Sequence, residues 1–464
     1  MQVVVRVGNL GVGVVVTALV VRTLGGTGYG QWSTVLVVLG LIAYFANFGM
    51  EELALREAAR APEHEFEWLG AVMLLRLLVM GPIILVSLAA ILILHESREM
   101  LIAGLILVIA EPFGGISALG LMFQLRVDNR VPMLVLTLRS VLWGVAVLII
   151  HVQHGGMIAL AVAMVATNGV GSIVQALFAL KLVGRWPRPS RGRLRELVRL
   201  GLPVGIAGAL IVSYARIDQV IVFAVSGSHD AGLYGAVYNI LDQSHFVPIS
   251  ILTTLSPVLA AAWPHDRARL LRTARLTGEL LAVGSFGALA FSLVAAGPIV
   301  RLIFGAEFSA AAPALPVLGG AFVLICFGYL NGNLVVVLGM QRRMLDISLL
   351  ALVANLAGNA ILVPLFGFMG AASMTVVTEV VVLALTWRLI ERKLELGRPR
   401  LGRIGRTGIA AALLTAALFA VKLAGGPLGA LVAVAVVGYP ALLFGLRAVE
   451  PGDLRVLLKR GAAA

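Results

Sequence analysis

Fourteen stretches of mostly apolar residues follow one another along this chain. They fall at residues 3–23, 29–50, 68–94, 100–124, 130–150, 156–181, 200–225, 231–262, 276–304, 310–338, 344–364, 368–390, 407–424 and 427–446, numbered here as spans 1 to 14. A helix of about 20 apolar residues crosses the hydrocarbon of a bilayer. A backbone there must satisfy its own hydrogen bonds, which leaves helices or a closed barrel, and stretches of this length are helices. The expected fold class is therefore an all-α integral membrane protein with about 14 transmembrane helices. The chain is 60% hydrophobic and 13% charged, against about 45–50% and about 25% in soluble domains. No polar block is long enough for a separate soluble domain. The single cysteine, Cys326, excludes an internal disulfide framework and a cysteine-based zinc site. Span 1 begins almost at Met1 and holds Arg6 and Asn9, which makes it the weakest of the fourteen; no cleavable signal peptide is recognised.

The formal charge of +13 is a topology signal once it is placed on the spans. With a cytoplasmic N-terminus, 29 of the 36 Lys and Arg lie in segments facing the cytoplasm. The other seven are Arg22, Arg76, Arg98, Arg139, Arg216, Arg301 and Lys422. This is the positive-inside pattern, and it places both termini in the cytoplasm. Two basic runs, Arg185–Arg199 and Arg388–Arg403, leave six spans, six spans and two. The expected divisions are a first lobe (1–185), a second lobe (186–396), and a pair of helices with a cytoplasmic tail (397–464). The runs read as topology signals that also touch anionic lipid heads. Nothing else in the chain supports nucleic-acid binding.

The two six-span sets resemble each other. The turn after span 1 reads GGTGYGQWS and that after span 7 reads SHDAGLYGAVY, with Tyr29-Gly30 and Tyr234-Gly235 opening the next span. The turn between spans 5 and 6 (GGMIALAVA) similarly matches the turn between spans 11 and 12 (GFMGAASMT). Six spans per set bring both sets in from the same side. That makes a parallel repeat, an arrangement in which transporters build a central site between lobes.

Charges at bilayer depth cost a few kcal/mol (roughly 2.5–3.5 on insertion scales), so they persist where they are paired or line a wet cavity. Span 8 carries Tyr234, Tyr238, Asp242 and His245 at helical spacing, and span 2 carries Tyr29, Ser33, Gly40, Tyr44, Asn47 and Glu51. Such stripes suit either helix–helix hydrogen bonds or a cavity wall, and their recurrence in equivalent spans favours the wall. Arg216 and Asp218, two residues apart on span 7, point to different faces; Arg216, with Gln219 on its face, is the one assigned to the cavity. Arg76 and Arg139 lie at similar depths beside Glu111 of span 4. They form either a buried ion-pair network or a cationic surface, and arginine suits phosphate because its planar fork donates two parallel hydrogen bonds. Arg22, at the end of span 1, reaches either the membrane surface or the cavity. Asp218, Asp242 and Glu111 are the candidate ion-coupling carboxylates, with Glu279 and Glu379 as further intramembrane acids. Asn355 and Asn359 read as interhelical glue. His151 and His154 lack a nearby third ligand, and no metal is expected.

The stretches RTLGGTGYG, FGMEELALREAAR, RIDQVIVFAVSGSHDAGLYGAVYNI and LALVANLAGNAILVPLFGFMGAAS resemble the polysaccharide-biosynthesis flippases of the multidrug/oligosaccharidyl-lipid/polysaccharide exporter superfamily. The resemblance runs over essentially the whole chain. It implies two parallel six-helix lobes around a central cavity plus two C-terminal helices, in a bacterial plasma membrane. It implies alternating access and export of an undecaprenyl-diphosphate-linked oligosaccharide to the outer leaflet. The expected partners are that lipid-linked glycan, membrane lipids and other polysaccharide-assembly proteins. No cofactor is expected beyond a proton or Na+ gradient. Arg216, Arg139, Arg76 and Arg22 would then meet the diphosphate, and Tyr234, Tyr238, Tyr44 and Asn47 the sugars. The alternatives are a drug/cation antiporter or a lipid II flippase of the same superfamily. Arg216 and Arg139 weigh against cationic drugs. A glycan polymerase or ligase would need a sizeable outer loop, and these are about 4–12 residues, so no enzyme activity is expected.

Overall fold

The computed structural model describes residues 2–47, 50–110, 113, 118–126, 130–183, 187–188, 190–395 and 402–450. Every described element is helical. Among the described residues eleven helices are long and apolar enough to cross a membrane, a number compatible with fourteen spans. The helix Gln2–Asn47 contains spans 1 and 2, and Arg191–Ser244 contains span 7 and the start of span 8. Each doubles back at a glycine with left-handed backbone, Gly25 (φ 66°) and Gly227 (φ 85°), a conformation disfavoured for any residue carrying a Cβ. Span 4 begins as the shorter helix Arg98–Val108.

Helix ends follow local chemistry. Ser97 caps Arg98–Val108 by accepting from the Met100 N–H at 3.1 Å. Asp266 caps Arg267–Phe304 by accepting from the Arg269 N–H at 2.8 Å. The same helix stops at Gly305 (φ 100°).

Contacts divide the chain into two units, residues 1–236 with 356–368, and 237–355 with 369–464. The division expected from the repeat, 1–185, 186–396 and 397–464, follows sequence; the contact division groups span 7 with the first six spans. The packing supplies the reason. Gly201 and Gly208 of span 7 receive Met50 and Tyr44 from the first repeat. A Cβ on Gly201 would lie 2.9 Å from Met50 Cγ, and one on Gly208 2.6 Å from Tyr44 Oη. In lipid, helices associate through such close approaches at small residues.

At the end of the first unit that carries the basic loops, Met50, Ala54, Ala58, Trp68, Leu69, Met122 and Leu197 form an apolar core. Leu197 belongs to the basic run between the two repeats. One turn earlier, Arg193 lies over the Trp68 ring at 5.2 Å and pairs with Glu67 and Glu196 at 3.4 and 3.0 Å. This run is therefore docked protein as well as a topology signal.

In the second unit, Arg267–Phe304 packs against Phe246–Ala262, Ala314–Val337 and both C-terminal helices, Gly402–Leu423 and Leu428–Gly445. The C-terminal pair is pinned at three heights. Arg403 pairs with Glu279 at 3.2 Å, Tyr439 donates to the Val283 carbonyl at 2.8 Å, and Lys422 donates to the Val294 carbonyl at 2.8 Å. Asn331 bonds Thr386, and Asn355 bonds Thr378, at 3.1 and 3.2 Å. Asn355 thus acts as interhelical glue.

Candidate functional site

Within the first unit the turns at Gly25 and Gly227 cross with their backbones in contact. A Cβ on Gly30 would lie 1.7 Å from the Ser228 carbonyl oxygen, and one on Gly232 1.9 Å from that of Gly26. Gly25 and Gly227, Gly26 and Ser228, Gly30 and Gly232 are each 202 positions apart, so the contact is reciprocal and expresses the repeat itself. The structural register is 202, whereas pairing Tyr29-Gly30 with Tyr234-Gly235 gives 205. The left-handed glycines set the turns, and the aromatic-glycine pairs merely follow them.

Just beneath this crossing lies a buried polar network. Tyr234 donates a short hydrogen bond to Asp218 Oδ2, and Asp218 Oδ1 accepts from the Gln219 N–H at 2.9 Å. The Gln219 amide donates to Ser33 Oγ at 3.2 Å and to the Ala231 carbonyl at 2.9 Å. Asp218 is 1% exposed and Tyr234 0%. Spans 2, 7 and 8 are thereby tied together, with Ser33 and Tyr234 from the two stripes meeting Asp218 and Gln219 of span 7. Tyr234 and Asp218 hold helices together in this conformation.

The other sequence candidates separate into distinct places. Arg76 pairs closely with Glu51, which uses the last residue of the span 2 stripe. Tyr44 stays exposed beside Gly208. Arg22 is exposed and Arg216 half-buried. Tyr238 is buried, and Asp242 and His245 are half-buried, in the second unit. There His245 meets Tyr329 edge-on at 5.9 Å between ring centres. Glu379, on the helix Phe368–Leu394, approaches Gly328 next to Tyr329; a Cβ on Gly328 would sit 3.7 Å from Glu379 Oε2. Glu111 and the Asn47 side chain lie outside the described residues. Among the described residues no cluster of three His, Cys, Asp or Glu could hold a metal ion.

Arg139 is placed differently from Arg76. It is half-buried on Arg130–Val152, about 13 Å along the helix axis from the basic end. Its guanidinium donates a short hydrogen bond to Asn168 Oδ1 on Met157–Val183. The aliphatic stem crosses Gly171, where a Cβ would lie 2.3 Å from Arg139 Cδ. Sequence reading missed Asn168, although an amide in the middle of an apolar run was visible as a signal.

The sequence profile of the polysaccharide biosynthesis protein family matches residues 2–263, more than half of the chain. The chain belongs to the polysaccharide biosynthesis protein family. The capsular polysaccharide biosynthesis protein CapF of Staphylococcus aureus is 20% identical over 225 residues, 46% of this chain. The chain spans about half the length of that curated relative, 56%. In fold, the family member is similar to the lipid II flippase MurJ in an inward closed conformation. That likeness has a TM-score of 0.71 at 11% identity and covers 97% of this chain and 98% of that one. It is also similar to an inward-facing multidrug resistance MATE family transporter of the MOP superfamily. There the TM-score is 0.69 at 17% identity, over 85% of this chain and 99% of that one. The chain is thus a multi-pass membrane protein with the fold of MOP-superfamily transporters.

Proposed function

We propose that this protein carries an undecaprenyl-diphosphate-linked oligosaccharide from the cytoplasmic to the outer leaflet of a bacterial plasma membrane by alternating access. Both termini are cytoplasmic in this reading, and the crossing at Gly30 and Gly232 is the closed outer seal. The observation that carries it is Arg139, a guanidinium at bilayer depth whose described polar partner is a neutral amide. A carrier of cationic drugs gains nothing from a cation that meets no carboxylate among the described residues, whereas a lipid-linked diphosphate brings a negative charge for it. The family assignment and the capsular relative support a glycan as the cargo. For coupling to a proton or Na+ gradient, Asp242 and Asp218 are the proposed carboxylates, with Glu379 close to Tyr329 as a further acid.

Depletion of the protein in a cell that makes the glycan tests the reading. Undecaprenyl-diphosphate-linked oligosaccharide should accumulate several-fold on the cytoplasmic leaflet while surface polysaccharide falls. Unchanged lipid-linked pools together with altered drug resistance would contradict it in favour of the antiporter.

A further inference from the structure

The Arg139–Asn168 pair carries information that the family does not. Most intramembrane arginines are expected to meet a carboxylate, because removing the charge from water is otherwise costly. Arg76 follows that rule with Glu51. Arg139 has no acidic partner among the described residues and bonds an amide instead. An amide oxygen accepts a hydrogen bond from a guanidinium, more weakly than a carboxylate, and does not neutralise its charge. Asn168 Oδ1 is used on Arg139, so its NH2 group stays a donor, and it makes no hydrogen bond among the described residues. Gly171 clears the path over which the arginine stem lies flat. The result is a guanidinium held to an amide, half-buried, with an amide donor beside it and no carboxylate paired to it among the described residues.

We propose that Asn168 is a positioning residue that holds Arg139 for a phosphate of a lipid-linked diphosphate without neutralising it. This rests on the function proposed above and deepens it. The identity at position 168 then matters for charge more than for size. An aspartate there is nearly isosteric and keeps the hydrogen bond. It would also convert the pair into an ion pair and take away the amide donor. A purely structural role predicts that aspartate is tolerated or stabilising, with function intact. An anion site predicts that it is tolerated by the fold and harmful to binding.

The test measures binding to the purified full-length protein in lipid nanodiscs by native mass spectrometry. Its probes are undecaprenyl diphosphate, undecaprenol and inorganic diphosphate. Wild type should prefer undecaprenyl diphosphate to undecaprenol by roughly tenfold or more, a difference of about 1.4 kcal/mol per decade, and inorganic diphosphate should bind more weakly than the lipid-linked form. Asn168→Asp should lose most of that preference at unchanged or raised melting temperature. Gly171→Ala, which displaces the arginine without altering charge, should lose it too. Full preference in both variants would remove this pair from the site and leave the flippase reading standing. Loss of stability in Asn168→Asp would mean that Arg139 is already compensated, which also overturns the proposal. Binding of inorganic diphosphate as tight as that of the lipid would contradict a lipid-linked source. Absence of any preference in wild type would instead sink the function proposed above.

Discussion

Lys422 has a role that its place in the sequence does not reveal. It stands near a helix end, where a basic side chain usually snorkels to the surface. In the structure it donates to the carbonyl of Val294. That carbonyl is the one that Pro298, four residues later in the same helix, cannot serve, since proline lacks an N–H. The lysine of one helix thus fills the hydrogen bond broken in another. Lys422→Met should lower the unfolding free energy by about 1 kcal/mol, the worth of one such bond. In a Pro298→Ala background, where the helix recovers its own bond, the same substitution should have less than about half that effect. Thermal unfolding of the four proteins measures the coupling. Equal losses in both backgrounds would show that the lysine acts otherwise. Arg76 and Arg139 teach a related lesson, since one meets Glu51 and the other Asn168 and their depths alone do not tell them apart.

At the scale of elements, the two hairpins that cross at Gly30 and Gly232 bind the repeat together. Backbone approaches backbone there, so even a methyl group must push the turns apart. Gly30→Ala should open the crossing. Ser228, buried at 8% exposure, reports on it when replaced by cysteine in a Cys326→Ala background. Maleimide labelling at position 228 should rise by roughly tenfold if the seal loses about 1.4 kcal/mol. Gly40→Ala on the same helix is the control, because a Cβ there meets nothing within 4 Å. Unchanged labelling in Gly30→Ala would show that the crossing yields without opening. The sequence made these elements legible to different degrees. Spans, basic ends and the existence of a repeat were readable because length, hydrophobicity and charge act locally. The register of the repeat was not, because Gly25 and Gly227 look like any other glycines until their φ angles are known. Nor was the match of Gly201 and Gly208 to Met50 and Tyr44, which depends on which helices become neighbours. The polar stripes, read as a cavity wall, include half-buried Ser33 and buried Tyr234, which here hydrogen-bond to span 7. They did not distinguish a helix contact from a cavity wall, since both need polar groups facing inward.

At the scale of the whole molecule, the central claim is directional movement of a lipid-linked anion through a MOP-type fold. A carrier of this kind needs helices that pack closely yet can part, and cations that stay available inside the membrane. In the proposed reading the glycine contacts of the first unit would meet the first need, and Arg139 on its amide the second. The C-terminal helices, pinned to Arg267–Phe304 at Glu279, Val283 and Val294, belong to the second unit and should move with it. The most direct measurement reconstitutes the protein in proteoliposomes with a fluorescent undecaprenyl-diphosphate-linked oligosaccharide and follows quenching by an impermeant reductant. The account predicts that wild type exposes the inner-leaflet pool to the reductant, whereas Arg139→Met leaves it protected at the same protein density. A wild type that leaves the inner pool as protected as protein-free liposomes, with or without an imposed proton or Na+ gradient, would contradict it.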